Sequence, residues 1–439
     1  MTTPSAADRP NADGVATSVA GSPADTSLPA TSEAVPDDGQ IRSEPAVEMS
    51  RFACLEGLRM WMAWWVVFGH ALHLSGTLTS DNRVVHALMQ GFRKGHIAVD
   101  VFVILSGFVI AHLLCVKSES YPRYITRRFF RLWPLLAAAV VLMLSIQGLY
   151  RQAYVDPSWA YKPDMRIERL DQTEARLATH TALKLSMLHG VVPDEVLPYS
   201  TSSILSPAWS ISLEWQFYLV APLLVWIARS SWQAASALFA ACAALSYGVA
   251  EFSGYSWQFP AFLPLKICLF LVGIGSRLAL NHLGKGQLNP WTYAAAAIGV
   301  VVAMAAASVM LPWLKFPFGA ALFLAFSPIL LEENGRFDRP LPLVTGLRRA
   351  LFDNAWAGSL GRWSYSTYLI HIPLFVLWTG LWAATFGIES SRDHFTALIV
   401  SFPVIAAVSY TTFRLIEVPG TQVGRTASGW AGRLFERST

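Results

Sequence analysis

Long blocks of apolar residues recur along the chain between about residue 55 and residue 416. Each is close to the length of about 20 residues that an α-helix needs to cross a bilayer core of about 30 Å. The pattern predicts an all-α polytopic membrane protein with about ten transmembrane helices, forming one membrane domain over residues 50–420. The blocks lie at 55–75, 96–116, 132–149, 208–228, 232–250, 259–280, 291–311, 315–332, 363–387 and 395–416.

The two ends of the chain lack this pattern. Residues 1–49 are rich in Ala, Ser, Thr, Pro and Asp and contain no apolar run. Such a segment buries too little surface to fold, and it lacks the basic start and apolar core of a signal peptide. We therefore predict a disordered cytoplasmic tail at residues 1–49 and a short cytoplasmic tail at residues 421–439.

Composition agrees with a bilayer as the surrounding medium. The chain is 54% hydrophobic and 14% charged, whereas soluble domains carry about a quarter charged residues. The net charge is only +4, and no basic run with interleaved aromatic residues predicts a nucleic-acid partner. The four cysteines form no CxxC pair or metal-ligand spacing, so we expect no metal.

Basic residues predict the orientation. Two connections are rich in arginine and lysine, and the positive-inside rule places both in the cytoplasm. We therefore predict a multi-pass protein in the bacterial inner (cytoplasmic) membrane, with both termini in the cytoplasm. The long connection 150–207 then faces outward. The basic residues are Lys117, Arg123, Arg127, Arg128 and Arg131 in one connection and Arg336, Arg339, Arg348, Arg349 and Arg362 in the other.

Ionisable residues inside apolar blocks are costly and therefore point to function. Arg59 and His70 are eleven positions apart on the first helix, which at 100° per residue brings them within roughly 20° of one face. Histidine is the side chain best suited to moving a proton near neutral pH. His70 is therefore a candidate catalytic base, and a structural histidine bonded to a neighbouring helix is the alternative.

Arginines at the cytoplasmic boundary are candidates for binding an anionic donor. Arg128 and Arg131 share a helix face, and guanidinium groups bind phosphate bidentately. Anchoring against lipid headgroups is an equally good interpretation of these residues. Ser106, beside Gly107 on the second helix, allows either a helix or a slender ligand to approach closely.

Three further residues fall inside apolar blocks. Glu214 lies at about the predicted depth of His70 and would orient it, with Lys266 as a possible counter-ion or structural partner of Glu214. Tyr365 and His371, on the ninth block, are candidate substrate contacts, with packing as the alternative. These residues fit two classes of protein: an enzyme that joins an anionic cytoplasmic donor to an outer acceptor, and a proton-coupled exporter of a polysaccharide or small solute.

Six short motifs in order, over about residues 50–420, resemble the acyltransferase-3 family of integral membrane acyltransferases. They comprise Arg59 and His70; Gly95, Asp100, Phe102, Leu105, Ser106, Gly107 and Phe108; Arg128 and Arg131; Trp209, Ser210, Ser212, Leu213, Glu214 and Tyr218; Ser364, Tyr365, Tyr368, Leu369 and His371; and Glu417 with Pro419.

The resemblance implies transfer of an acyl group, usually acetyl from acetyl-CoA, to a hydroxyl of an envelope or exported carbohydrate. Many members of the family carry an extra domain after the membrane part, and we expect this chain to be a stand-alone form without it. His70 and Glu214 would be catalytic, and Arg59, Arg128 and Arg131 would hold the donor phosphates. Direct transfer and an acetyl-histidine relay both remain open, as do the acceptor and the oligomeric state.

Overall fold

The structure is a computed structural model, which describes residues 52–77, 82–157, 160–310 and 317–436. The predicted tail at residues 1–49 lies outside them. The described part is helical, and its only strand-like pairing is one bridge between Leu288 and Phe337. The helices in chain order are α1 (Ala53–Ser75), α2 (Arg83–Phe92), α3 (Gly95–Val116), α4 (Tyr121–Ser145), α5 (Gln147–Tyr154), α6 (Pro163–Ala175), α7 (Leu177–Leu185), α8 (Trp209–Ala228), α9 (Trp232–Phe252), α10 (Ile267–His282), α11 (Pro290–Met310), α12 (Phe318–Glu333), α13 (Pro342–Leu347), α14 (Ala355–Arg362), α15 (Ser364–Phe386), α16 (Ser391–Val400), α17 (Phe402–Thr412) and α18 (Val418–Glu436).

Six of these helices are long and apolar enough to cross a membrane, namely α3, α4, α8, α9, α11 and α15. A seventh candidate is a bent pair of helices, formed at an angle of 43° by α16 and the continuous helical segment Phe402–Arg433, which comprises α17 and most of α18. The all-helical, polytopic character is therefore as predicted, but the count of about ten is not confirmed. Helices α10 and α12 have 16 residues each, short of the usual span of about 20, and the ionisable residues of α1 lower its hydropathy.

Helix α3 lies at the centre and packs against α1, α8, α10 and α12. Its contact with α10 depends on two glycines. A Cβ atom on Gly107 would collide with the backbone of Phe270, and one on Gly273 would collide with the backbone of Ile104. Small residues at a crossing allow two helices to approach closely, so Gly107 serves helix packing, as one of its two interpretations predicted.

Helices α9 and α11 expose apolar surface. No residue of α11 is buried, and Cys242 is the one buried residue of α9. Apolar surface of this extent is unfavourable in water, since each Å² of it costs about 25 cal/mol. Contact with lipid acyl chains explains the exposed apolar surface of these two helices.

The connection between α4 and α8 is folded rather than open. It contributes α5, α6 and α7, and it buries polar side chains that include Arg166 and Lys184. The Nζ atom of Lys184 donates to the carbonyl oxygens of Ser200 and Thr201, at 3.5 and 3.3 Å. Burial, with a smaller contribution from Arg169, lowers the pKa of Lys184 to about 7.

The predicted C-terminal tail is largely helical. Helix α18 reaches Glu436 and packs along α4, where a Cβ atom on Gly424 would press against the side chain of Phe130. The span predicted at 395–416 is also divided, because α16 ends at Val400 and α17 begins at Phe402. Residues 421–436 are thus part of the packed structure rather than a loose extension.

Candidate active site

The larger of two adjoining cavities lies between α1, α3 and the α4–α8 connection. We call it the upper cavity; its volume is about 380 Å³, and His70 and His73 from α1 line it. Helix α4 and the connection contribute Met143 and Gln147, and Trp209 from the start of α8 closes another side. The predicted base therefore faces an internal cavity.

His70 pairs with a second histidine. Its Nδ1 atom lies 2.9 Å from Nε2 of His371, which is fully buried on α15. The Nδ1 atom of His371 lies 3.2 Å from the carbonyl oxygen of Thr367, and because a carbonyl only accepts, this nitrogen carries the proton. In the neutral pair, Nε2 of His371 then accepts from Nδ1–H of His70, which leaves Nε2 of His70 unprotonated.

The histidine pair changes two predicted roles. His371 is the hydrogen-bond partner of His70, whereas the sequence offered it as a substrate contact or as a packing residue. His70 in turn receives this support from α15, whereas the sequence assigned the task to Glu214. The carboxylate of Glu214 instead accepts hydrogen bonds from Tyr218 and from Ser106 Oγ, the latter at 3.2 Å.

The smaller cavity, which we call the lower cavity, collects most of the predicted binding residues. Its volume is about 90 Å³. The structure brings five predicted residues together there from α1, α3, α4, α8 and α15, although they are far apart in sequence. They are Arg59, Ser106, Arg131, Glu214 and Tyr365.

Arg131 is the best-fixed cation of the lower cavity. It forms a salt bridge with the buried carboxylate of Glu417, which also accepts from Ser366 Oγ at 2.9 Å. Its guanidinium lies over the ring of Tyr365, 5.4 Å from the centroid. Tyr365 donates to the carbonyl oxygen of Leu132 at 2.7 Å, so both side chains are held in place.

Arg128 is placed differently from Arg131. Its guanidinium lies over the ring of Tyr218, 5.9 Å from the centroid, and outside the lower cavity's lining. Lys266 is also elsewhere, because its Nζ lies 2.7 Å from Asp100 and it therefore does not neutralise Glu214. Glu214 thus has neither of the two partners, His70 and Lys266, that the sequence indicated.

Tyr368 joins the two cavities. It lines both of them together with Val99. Its hydroxyl donates to the carbonyl oxygen of Pro207 at 3.0 Å and accepts from Ser210 Oγ at 2.9 Å. In the sequence, Tyr368 precedes His371 by three residues, which places the two on neighbouring parts of a helix face. The sequence gave no sign that this phenol lies where the two cavities meet.

A histidine at the wall of one cavity, next to a second cavity that holds arginines, is an arrangement expected of an enzyme that brings two substrates together inside a membrane domain. Comparison with known proteins names the class. Residues 52–414 match the sequence model of the acyltransferase-3 family, described as an acyltransferase domain, so the chain belongs to this family of acyltransferases.

Two curated proteins are similar over most of the chain. Acyltransferase MdmB of Streptomyces mycarofaciens is 27% identical over 353 residues, covering 73% of this chain and 78% of its own length. Nodulation protein 10 of Rhizobium leguminosarum bv. viciae is 24% identical over 346 residues, covering 74% and 84%. No solved structure gives a significant match.

Proposed function

We propose that the protein is a membrane O-acyltransferase that moves an acetyl or other short acyl group from cytoplasmic acyl-CoA to a hydroxyl of a cell-envelope or exported carbohydrate. The observation that supports this most is the free Nε2 atom of His70, directed by His371, at the wall of the upper cavity. Membership of an acyltransferase family favours acyl transfer over proton-coupled export.

The lower cavity is the proposed site of the donor. Arg59 and Arg131 would meet its phosphates, and the arm carrying the thioester would extend past Ser106 and Tyr368 toward His70. The salt bridge with Glu417 makes the pair neutral overall, but it fixes the plane of the Arg131 guanidinium. Fixed planes favour bidentate binding of phosphate, which supports Arg131 over Arg128 for this task.

The reaction proposed is direct transfer. His70 Nε2 accepts the proton of the acceptor hydroxyl while the hydroxyl oxygen attacks the thioester carbonyl carbon. The new C–O bond forms, the C–S bond breaks, and the proton passes from His70 to the departing thiolate, which leaves as the CoA thiol. The charge on His70 is shared with His371 through their hydrogen bond, and general-base assistance of this kind contributes about 10²–10⁴-fold.

The first test compares envelope carbohydrate from cells with and without the protein, and then from cells with His70→Ala. We expect O-acetyl groups to require the protein and to be lost in the variant. His282→Ala is the matched control, because His282 is exposed at the end of α10. Unchanged O-acetyl content with well-folded His70→Ala would contradict the proposal.

The second test concerns the donor and uses purified protein in nanodiscs with acetyl-CoA. Arg131→Ala should weaken acetyl-CoA binding by more than Arg128→Ala does, because only Arg131 lines the lower cavity. If both variants and the unaltered protein bind acetyl-CoA with equal affinity, the donor does not bind in the lower cavity. If the protein retains a labelled acetyl group when no acceptor is present, direct transfer is wrong and the acetyl-histidine relay is supported.

A further inference from the structure

The upper cavity has an unbalanced charge. Arg93, Arg166 and Arg169 line it, together with the histidines of α1 and His96. No aspartate or glutamate is among its lining residues in the described part of the chain. A cavity that receives an uncharged sugar needs hydroxyl, amide and aromatic contacts, but it has no need of three guanidinium groups.

Arg166 is the strongest indication of a missing anion. It is 5% exposed, and among the described residues its hydrogen bonds go only to the carbonyl oxygens of Tyr154 and His73, at 3.2 and 3.5 Å. It also stacks over the Tyr154 ring at 5.4 Å. Burial lowers the pKa of Arg166. A buried guanidinium without a carboxylate carries an uncompensated desolvation cost, which an anionic ligand would offset.

Arg169 and Arg93 extend the same basic surface. Arg169 lies one turn after Arg166 on α6 and is held by Tyr150, over whose ring it lies at 5.6 Å. Like charges at this helical spacing repel each other. Arg93, at the end of α2, donates to Gln90 at 3.1 Å, while its buried Nε atom has no hydrogen-bond partner among the described residues.

Among the described residues, no carboxylate forms an ion pair with Arg93, Arg166 or Arg169. Glu174 accepts from the side-chain amide of Gln147 at 2.7 Å, so Gln147 stands between this carboxylate and the cavity. The potential inside the upper cavity is therefore positive, and low-dielectric walls concentrate such a field.

We propose that the acceptor of this enzyme is an anionic carbohydrate, bearing a carboxylate or phosphate ester that binds Arg166 and Arg169 while its hydroxyl faces His70. This inference rests on the proposed function for the identity of the cavity as the acceptor site. Arg166 contacts the backbone of His73, three residues or ~4.5 Å along α1 from His70. The charged group and the reacting hydroxyl therefore belong to the same sugar ring or to adjacent rings.

The test uses the purified full-length protein in nanodiscs and two matched pairs of probes. Trigalacturonate is compared with its methyl ester, and maltotriose phosphate is compared with maltotriose. Within each pair the backbone and most hydroxyls are the same, while the charge differs. We expect the charged member of at least one pair to bind about tenfold more tightly or better, and the pair that responds tells carboxylate from phosphate.

Variants assign the effect to the cavity. Arg166→Gln should abolish the preference for the charged probe, and Arg169→Gln should reduce it. If the substitution of the buried Arg166 prevents folding, Arg169→Gln provides the test. Arg151→Gln is the control, because Arg151 is exposed on α5 and outside the cavity. Equal binding of charged and neutral probes, including no binding of either, would overturn the inference, as would a preference that survives in both cavity variants.

Acetyl transfer is measured separately on the same samples. Transfer to a neutral sugar with no preference for the anionic one would leave the proposed function standing and refute the anionic acceptor. Charge-selective binding through Arg166 in a protein that releases no CoA from acetyl-CoA would refute the proposed function, and with it the role of the anion as acceptor.

Discussion

The hydrogen bond from His70 to His371 decides which nitrogen of His70 is available. Without His371, Nδ1–H of His70 loses its acceptor and the ring is free to rotate or to change tautomer. We expect His371→Ala to lower acetyl transfer about 10–100-fold, which is less than the loss in His70→Ala, because positioning partners usually contribute this much.

His371→Gln is the discriminating variant for this prediction. Its amide oxygen accepts a hydrogen bond from His70 without carrying a proton itself, so partial recovery of the transfer rate is expected. The measurement is the initial rate of labelled acetyl transfer in nanodiscs. An unchanged rate in His371→Ala would show that the histidine pair is only structural.

For single residues, the sequence predicted which side chains line the two cavities better than which side chains contact each other. Helical phase placed Arg59 and His70 on one face, and each lines one of the two adjoining cavities. The partner of His70 is 301 positions away, and the packing of α1 on α15 fixes it. Depth along a helix axis, which suggested Glu214, says nothing about the direction of a side chain around that axis.

Among the helices, the close crossing of α3 and α10 leaves no room for a side chain at Gly273. Gly273→Ala should separate the two helices and destabilise the protein by about 1–3 kcal/mol, since the new Cβ atom meets the backbone of Ile104. Gly275, on the same helix, has nothing within 4 Å of an added Cβ, so Gly275→Ala should be neutral or stabilising. Thermal unfolding in detergent measures both, and equal midpoints would contradict the close crossing.

The folded α4–α8 connection makes a pH-dependent contribution through Lys184. Its pKa falls from an ordinary value of 10.5 to about 7, so between these values the unfolded chain binds more protons than the folded one. Stability then rises with pH across this range, and below pH 7 the burial of the charge is fully unfavourable. The thermal midpoint should therefore increase more from pH 7 to pH 9 in the natural protein than in Lys184→Met.

Helix positions were predictable because apolar blocks are local, but helix lengths were less so. Each predicted block contains helix in the structure, yet the block at 259–280 begins with non-helical residues, and α10 starts only at Ile267. The block at 395–416 is interrupted at Ser401. A helix covered by its neighbours does not need the full length of a lipid-exposed span, and composition alone does not reveal that cover.

For the whole molecule, the charge distribution predicts an orientation that thiol labelling tests. In a background with Cys115→Ser, the exposed positions Asp171 and Arg349 are each replaced by cysteine. A membrane-impermeant maleimide should label Asp171→Cys in intact spheroplasts, and it should label Arg349→Cys only after permeabilisation, because basic connections stay inside. The reverse pattern would invert the topology and exchange the sides of the two cavities.

Tyr368 has a consequence for the membrane itself. Two adjoining cavities that merged into one water-filled channel across a membrane would let protons leak down their gradient. The phenol, fixed by Ser210 and the carbonyl of Pro207, stands where both chambers meet. If donor and acceptor occupy the two cavities as proposed, this side chain would therefore also hinder the passage of water and protons from one cavity to the other.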